Sequence, residues 1–144
     1  MEQQVYKPTA DDLALLENWR DWTRGHFASD ARDQYNSVAG KLRCLQSILD
    51  AGWVERSEGA KLRCLGVTLG DAIAQKLQME WIIVEDESGR DPALRFPGTT
   101  VIAYPLSMIS KRIDRGESID VSDLFDGVCR HVLRMKADPD YQRH

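Results

Sequence analysis

The run Met79-Glu-Trp-Ile-Ile-Val-Glu-Asp-Glu-Ser-Gly89 decides the fold. Before it, apolar residues recur every three or four positions. Here they are contiguous and β-branched or aromatic, and they end on a Glu87-Ser-Gly turn signal, which reads as a strand entering a turn. Trp81 and Ile83 point to one face and Ile82 and Val84 to the other, so both faces of this strand are expected to be covered. Beyond the turn, Arg90-Asp-Pro-Ala-Leu-Arg-Phe-Pro-Gly98 reads as a Pro/Gly-punctuated connection holding a short strand around Leu94–Phe96. Thr99–Tyr104 is a further strand. The intervening turn implies antiparallel pairing and a small sheet of two or three strands.

Upstream of the run the period is helical. Thr9 followed by Asp12 is an N-cap signature, and Leu13, Leu16, Trp19 and Trp22 form a stripe that ends near Gly25. A second helix is expected over 33–51, burying Tyr35, Val38, Ala39, Leu42, Leu45, Ile48 and Leu49, with Gly52 beyond its end. A third opens near Ser57 and runs to about Leu77, with Leu62, Leu65, Leu69 and Ile73 on its apolar face. Gly66 and Gly70 sit four apart in it. A helical glycine costs about 1 kcal/mol relative to alanine, and no phosphate-loop pattern accompanies these two, so close approach by another element is the favoured reason.

Downstream, Pro105 suits the first turn of a helix carrying Leu106, Ile109 and Ile113, and Gly116 stops it. Asp120 caps a last helix whose Val121, Leu124, Phe125, Val128 and Val132 keep the helical period to about Lys136. Residues 137–144 read as a frayed tail. The expected architecture is α+β in a single domain, 1–144: N-terminal helices over 1–56, then a mixed part over 57–136 with the small antiparallel sheet and two C-terminal helices.

The chain has 144 residues, and its 19 Lys+Arg against 23 Asp+Glu leave a net charge of -4 spread evenly over both halves. That balance argues against a nucleic-acid-coating protein. The start lacks the apolar run of a signal peptide, and no apolar stretch approaches the roughly 20 residues that cross a bilayer, so a cytoplasmic protein without a membrane partner is expected. Cys44, Cys64 and Cys129 are widely spaced within helical apolar patterns and read as buried free thiols; the histidines at 26, 131 and 144 add no zinc-ligand spacing.

Four segments in order, Leu65-Gly-Val-Thr-Leu-Gly-Asp-Ala-Ile, Trp81-Ile-Ile-Val-Glu-Asp, Gly89-Arg-Asp-Pro-Ala-Leu-Arg-Phe-Pro-Gly-Thr and Pro105-Leu-Ser-Met-Ile-Ser-Lys-Arg, carry a resemblance. Over about residues 60–128 the chain resembles a bacterial family described only as a domain of unknown function, found mainly in proteobacteria and actinobacteria as small cytosolic proteins. The resemblance implies a shared fold and assigns no activity.

The densest polar cluster surrounds the turn. Asp86, Arg90, Asp91 and Arg95 combine a turn-fixing Asp-Pro with two guanidinium groups. These can either pair with Asp86 and Asp91 or grip a carboxylate or phosphate of a partner. Lys111 and Arg112 add a basic edge on the Pro105 helix, where the helix dipole already favours cations. These six residues form the expected binding surface. No nucleophile elbow, Ser–His or Cys–His constellation is present, so no catalytic residue, cofactor or resident metal is assigned. The expectation is a non-catalytic protein-interaction module whose partner is an unknown protein. The alternative is a small-molecule- or metal-binding protein, with hydrolysis carried by Asp71, Asp86 and Asp91 around a divalent cation. Trp19 and Trp22 on one stripe also suit a homodimer seam, although core packing accounts for them more simply.

Overall fold

The deciding run folds as β2 (Glu80–Asp86), and in the computed structural model it lies in an antiparallel sheet of four strands rather than two or three. The structure describes residues 3–27 and 29–138. Strand order is β1 (Gln4–Tyr6), β2, β3 (Gly89–Arg95) and β4 (Ile102–Ala103). The register Asp86↔Gly89 leaves only Glu87 and Ser88 in the hairpin loop. Gly89 has φ +117°, a conformation that L side chains rarely adopt. Residues 89–95 are thus a full strand, not a connection.

Pro92 misleads a reader of the sequence because proline cannot donate to a ladder. It is tolerated because β3 has no partner on its far side at that point. β4 pairs only Leu94↔Ala103 and Arg95↔Ile102, and continuing that register sets Pro92 opposite Pro105. Neither residue has an N–H to offer, so the ladder stops after two pairs.

Five helices and two 3₁₀ turns complete the described chain. α1 (Ala10–Arg24) carries a full capping box between Thr9 and Asp12. A 3₁₀ segment over Ser29–Asn36 leads into α2 (Val38–Asp50), which is capped by Ser37. α2 therefore starts five residues later than its apolar pattern suggests, and Ala39 is exposed. α3 (Gly59–Leu77) is the central element, buried from Cys64 through Gly70. Gln78, in the left-handed region at φ +58°, ends it and turns the chain directly into β2. A 3₁₀ turn over Pro105–Ser107 precedes α4 (Met108–Asp114), and α5 (Val121–Ala137) is capped by Asp120.

The main core joins α2, α3, α4 and α5 to Leu94, Phe96 and Val101. Gly66 and Gly70 are close-approach glycines, as expected. A Cβ at Gly66 would lie 2.5 Å from the Leu106 Cα, and one at Gly70 would meet the Trp81 ring at 2.5 Å and Pro105 at 2.8 Å. Ile82, Val84 and Ala93 form a separate small cluster with Ile102 on the sheet's other face. Both faces of β2 are accordingly buried, but by two unconnected clusters. The three cysteines are free and buried. Among the described residues no helix is long and apolar enough to cross a membrane.

Candidate functional site

Asp71 accepts four hydrogen bonds from three side chains. It stands on α3 between buried Gly70 and Ala72, so its carboxylate leaves the helix inside the fold. Arg20 of α1 grips it with Nε at 2.5 Å and Nη2 at 3.0 Å; Tyr35 donates its hydroxyl at 2.7 Å and Trp81 its indole N–H at 3.0 Å. Glu17 holds Arg20 from the other side at 2.8 Å and also pairs with Arg24. Burial opposes the charge on Arg20, and the hydrogen bonds and charge of Asp71, with help from Glu17, outweigh it; the guanidinium is held protonated more firmly than in a free arginine. Burial first, and then the Asp71 charge, push the Tyr35 phenol well above its ordinary value.

Lys41 extends this network. It is buried, donates to the Gln75 carbonyl at 2.6 Å and lies 5.0 Å from the Tyr35 ring centre. Burial pushes its ammonium below the ordinary lysine value. The members of the network bind α1 and the 3₁₀ segment to α3, and the Asp71 oxygens are occupied by donors from within the fold.

The six expected binding residues are not gathered into one surface. Arg90 folds toward α1, where its two terminal nitrogens meet the two Asp12 oxygens at 2.8 and 3.1 Å, with Glu85 3.8 Å away. Arg95 points to the opposite face, pairing with Glu80 across the strand at 3.2 Å. Asp86 accepts the Ser88 backbone N–H at 2.8 Å and fixes the hairpin. Asp91 leaves the turn altogether: it lies 3.9 Å from Arg63 of α3. Lys111 and Arg112 stand together on α4, and Arg112 donates to the Met108 carbonyl at 3.0 Å. The carboxylates of the hydrolytic alternative also part company, each with the neighbours just described. Among the described residues no three His, Cys, Asp or Glu side chains gather around a common metal position.

Two hollows lie on the side where these last residues sit. A cleft of about 290 Å³ opens between the start of α3 and the 104–110 segment, lined by Leu62, Arg63, Asp91, Pro92, Tyr104 and Leu106, with Ser107 and Ser110. A groove of about 570 Å³ runs between β4, α4 and α5. Its walls are apolar, with Ile102, Met108, Leu124, Val128, Val132 and Met135; Lys111, Arg112, Asp123 and His131 also line it. Tyr104 and Ser107 belong to both hollows, so the two are neighbours across one wall. Burial and, more weakly, the Asp86 and Asp91 charges raise the Tyr104 phenol, against the hydrogen bond it receives from Gln3.

One residue of the groove carries a signal that the sequence reading passed over. Gly127 lies inside α5, and a Cβ there would meet nothing within 4 Å. Unlike Gly66 and Gly70, it makes room for no neighbour among the described residues. The Asp71 network was equally hidden, because its members are scattered from Glu17 to Trp81. The available clue was a carboxylate set between Gly70 and Ala72 in the most apolar helix of the chain.

Comparison with known proteins adds a family and a fold. A family model described as Domain of unknown function (DUF3806) matches residues 41–125, more than half of the chain, and so reaches back into α2. Comparison with curated proteins finds no match. The chain is similar to a crystal structure of a protein from Bacteroides thetaiotaomicron, with a TM-score of 0.72 at 13% identity over 91% of this chain. That likeness is one of fold. The chain spans 48% of the length of that protein.

Proposed function

We propose, from the premise that this chain belongs to the DUF3806 family of domains of unknown function, that it is a non-catalytic interaction module. Its groove between α4 and α5 receives an amphipathic acidic helix of a partner protein. The observation that carries this reading is the groove itself: an apolar trough with methionines on both sides, floored in part by a glycine that no neighbour among the described residues requires. Methionine side chains adapt to varied apolar shapes, and an apolar trough of this kind accepts residues spaced three and four apart on a helix. Lys111 and Arg112 put two cations on one lip, and Asp123 is the acidic residue of the lining, so the groove favours an acidic occupant although the whole chain is acidic.

The chemistry elsewhere supports a binding role over a catalytic one. The Asp71 oxygens are engaged by four hydrogen bonds from three side chains, which leaves neither oxygen free to act as a base. Burial pushes the Cys44 thiol up to about 11, and Cys64 and Cys129 upward as well, the reverse of an activated nucleophile.

Selection of a phage-displayed random peptide library on the full chain tests the reading. Enriched peptides should show apolar residues at helical spacing interleaved with Asp or Glu. Their binding should be lost in Gly127→Trp, which fills the groove from a position with open space, and weakened in Lys111→Glu/Arg112→Glu. Enriched peptides that bind Gly127→Trp as well as the parent would overturn the assignment. So would a concentration-dependent dimer of the parent that Gly127→Trp makes monomeric, since the occupant would then be a second copy.

A further inference from the structure

The cleft beside the groove contains one cation and one anion, Arg63 and Asp91, which form only a long ion pair. At 3.9 Å the pair lies beyond hydrogen-bond reach, and no hydrogen bond to a described residue holds either side chain. Arg63 has a loose contact with the Trp19 ring, 5.8 Å from its centre. Both side chains are about half exposed, and an exposed pair of this kind contributes little to stability, so displacing it costs little. The rest of the wall is apolar, with Leu62, Pro92 and Leu106, save for the Tyr104, Ser107 and Ser110 hydroxyls and Gly59.

We infer that this cleft binds a small zwitterion: an α-amino acid with an apolar side chain, its carboxylate on the Arg63 guanidinium and its ammonium on the Asp91 carboxylate. Two opposite charges side by side match a ligand whose own opposite charges are separated by a single carbon. A simple anion such as phosphate would meet Asp91, and a simple cation would meet Arg63; only a ligand with both signs is favoured by both. Arg63 offers a planar fork for a carboxylate, and Asp91 offers acceptor oxygens for an ammonium. Leu62, Pro92 and Leu106 are left to cover the side chain, and about 290 Å³ accommodates one residue rather than a peptide. This site is independent of the groove, although it shares a wall with it.

Isothermal titration of the full chain with L-leucine, L-methionine and L-phenylalanine tests the inference. At least one should give saturable, one-site binding. Its N-acetyl derivative, which lacks the ammonium, and its amide, which lacks the carboxylate, should each bind at least about tenfold more weakly. Arg63→Gln and Asp91→Asn should each weaken the parent amino acid by a similar factor while keeping the parental melting temperature, which separates lost binding from lost fold. Gly127→Trp should leave the titration unchanged. No saturable binding of any of the three up to roughly 10 mM would overturn the proposal, given the weak affinities that so few ligand atoms can still reach. Equal binding of the N-acetyl derivative, or undiminished binding by Asp91→Asn, would overturn it as well, because the site would then be a plain anion site.

Discussion

α3 carries one member of each of two arginine–aspartate pairs, and their fates differ. Asp71 meets Arg20 through two hydrogen bonds of 2.5 and 3.0 Å, with Tyr35 and Trp81 completing its shell. Two turns earlier, Arg63 faces Asp91 at 3.9 Å with both side chains about half in water. The residue types are the same, and the difference lies in what surrounds them. Asp71 projects from the buried side of α3 toward α1, so the fold had to supply every donor that water would have supplied. Arg63 projects from the exposed side, where water satisfies it and no internal partner is demanded. The first pair is therefore part of the architecture, and the second is available to something outside the chain.

Breaking the two pairs should separate them by several kcal/mol. Asp71→Ala leaves the Trp81 indole N–H without its acceptor and the partly buried Arg20 guanidinium and Tyr35 phenol with only Glu17 and Thr68, and removing one partner of a buried pair typically costs about 3–5 kcal/mol. Asp91→Ala, at the surface, should change stability by no more than about 0.5 kcal/mol. Urea denaturation of both variants checks this. A loss below about 1 kcal/mol for Asp71→Ala would mean that water, not the four donors, satisfies Asp71 in the parent.

The buried ionisable groups sharpen the comparison along the pH axis. Cys44, Cys64, Cys129 and Tyr35 are all pushed up by burial, so in each the folded state holds its proton more tightly than the unfolded chain does. Stability is then fully present below the unfolded value of about 9 for a thiol and falls as pH rises toward the folded value. Cys44 alone, moved from 9.0 to about 11, contributes a loss of about 2–3 kcal/mol across that window. Lys41, pushed the other way, works against this loss: stability rises with pH between its lowered value and 10.5. The thiols and Tyr35 outnumber it, so urea midpoints should decline from pH 9 to 11. A flat or rising profile would show that the thiols are not desolvated.

The sequence showed helices better than strands, for a physical reason. The helical stripes of α1, α3 and α5 repeat over many turns, and their caps at Thr9 and Asp120 are local. β1 has three exposed residues and no alternation to read, and its pairing with β2 joins Gln4 to Glu85 across the chain. β3 was read as a connection because Pro92 looks like a breaker until one knows that its far side is unpartnered. The candidate site fared worse. Of the six residues expected to share a surface, Lys111 and Arg112 line the groove and Asp91 lines the cleft, whereas Arg90, Arg95 and Asp86 hold the sheet together. A charge beside a turn looks the same in sequence whether its partner is Asp12, seventy-eight residues away, or nothing at all.

The helical glycines give the next pair of tests, with opposite signs. Gly66→Ala drives a methyl group to within 2.5 Å of the Leu106 backbone, which cannot yield as a flexible side chain would. Overpacking of this kind costs about 1–3 kcal/mol, partly offset by a helix-propensity gain of up to about 1 kcal/mol, for a net loss of about 1–2 kcal/mol. If Gly66→Ala proves neutral, α3 and the 104–106 segment are not in close contact, and the wall shared by the cleft and groove is softer than its geometry implies.

Gly127→Ala should do the reverse, and it is the smallest effect. A Cβ there meets open space, so the only change is the backbone freedom lost by the unfolded chain and the helix propensity gained, worth about 0.5–1 kcal/mol in favour of the folded state. For a chain of this size that raises the melting temperature by a few degrees. The gain matters because it would be stability the natural sequence forgoes, at a position whose missing side chain widens the groove and relieves no internal clash. If Gly127→Ala instead destabilises the protein, something within the fold does press on that position, and the glycine loses its value as a sign of an external occupant. If it stabilises the protein and weakens peptide capture, the open space at Gly127 is held for a partner, as the long Arg63–Asp91 ion pair is held for a ligand.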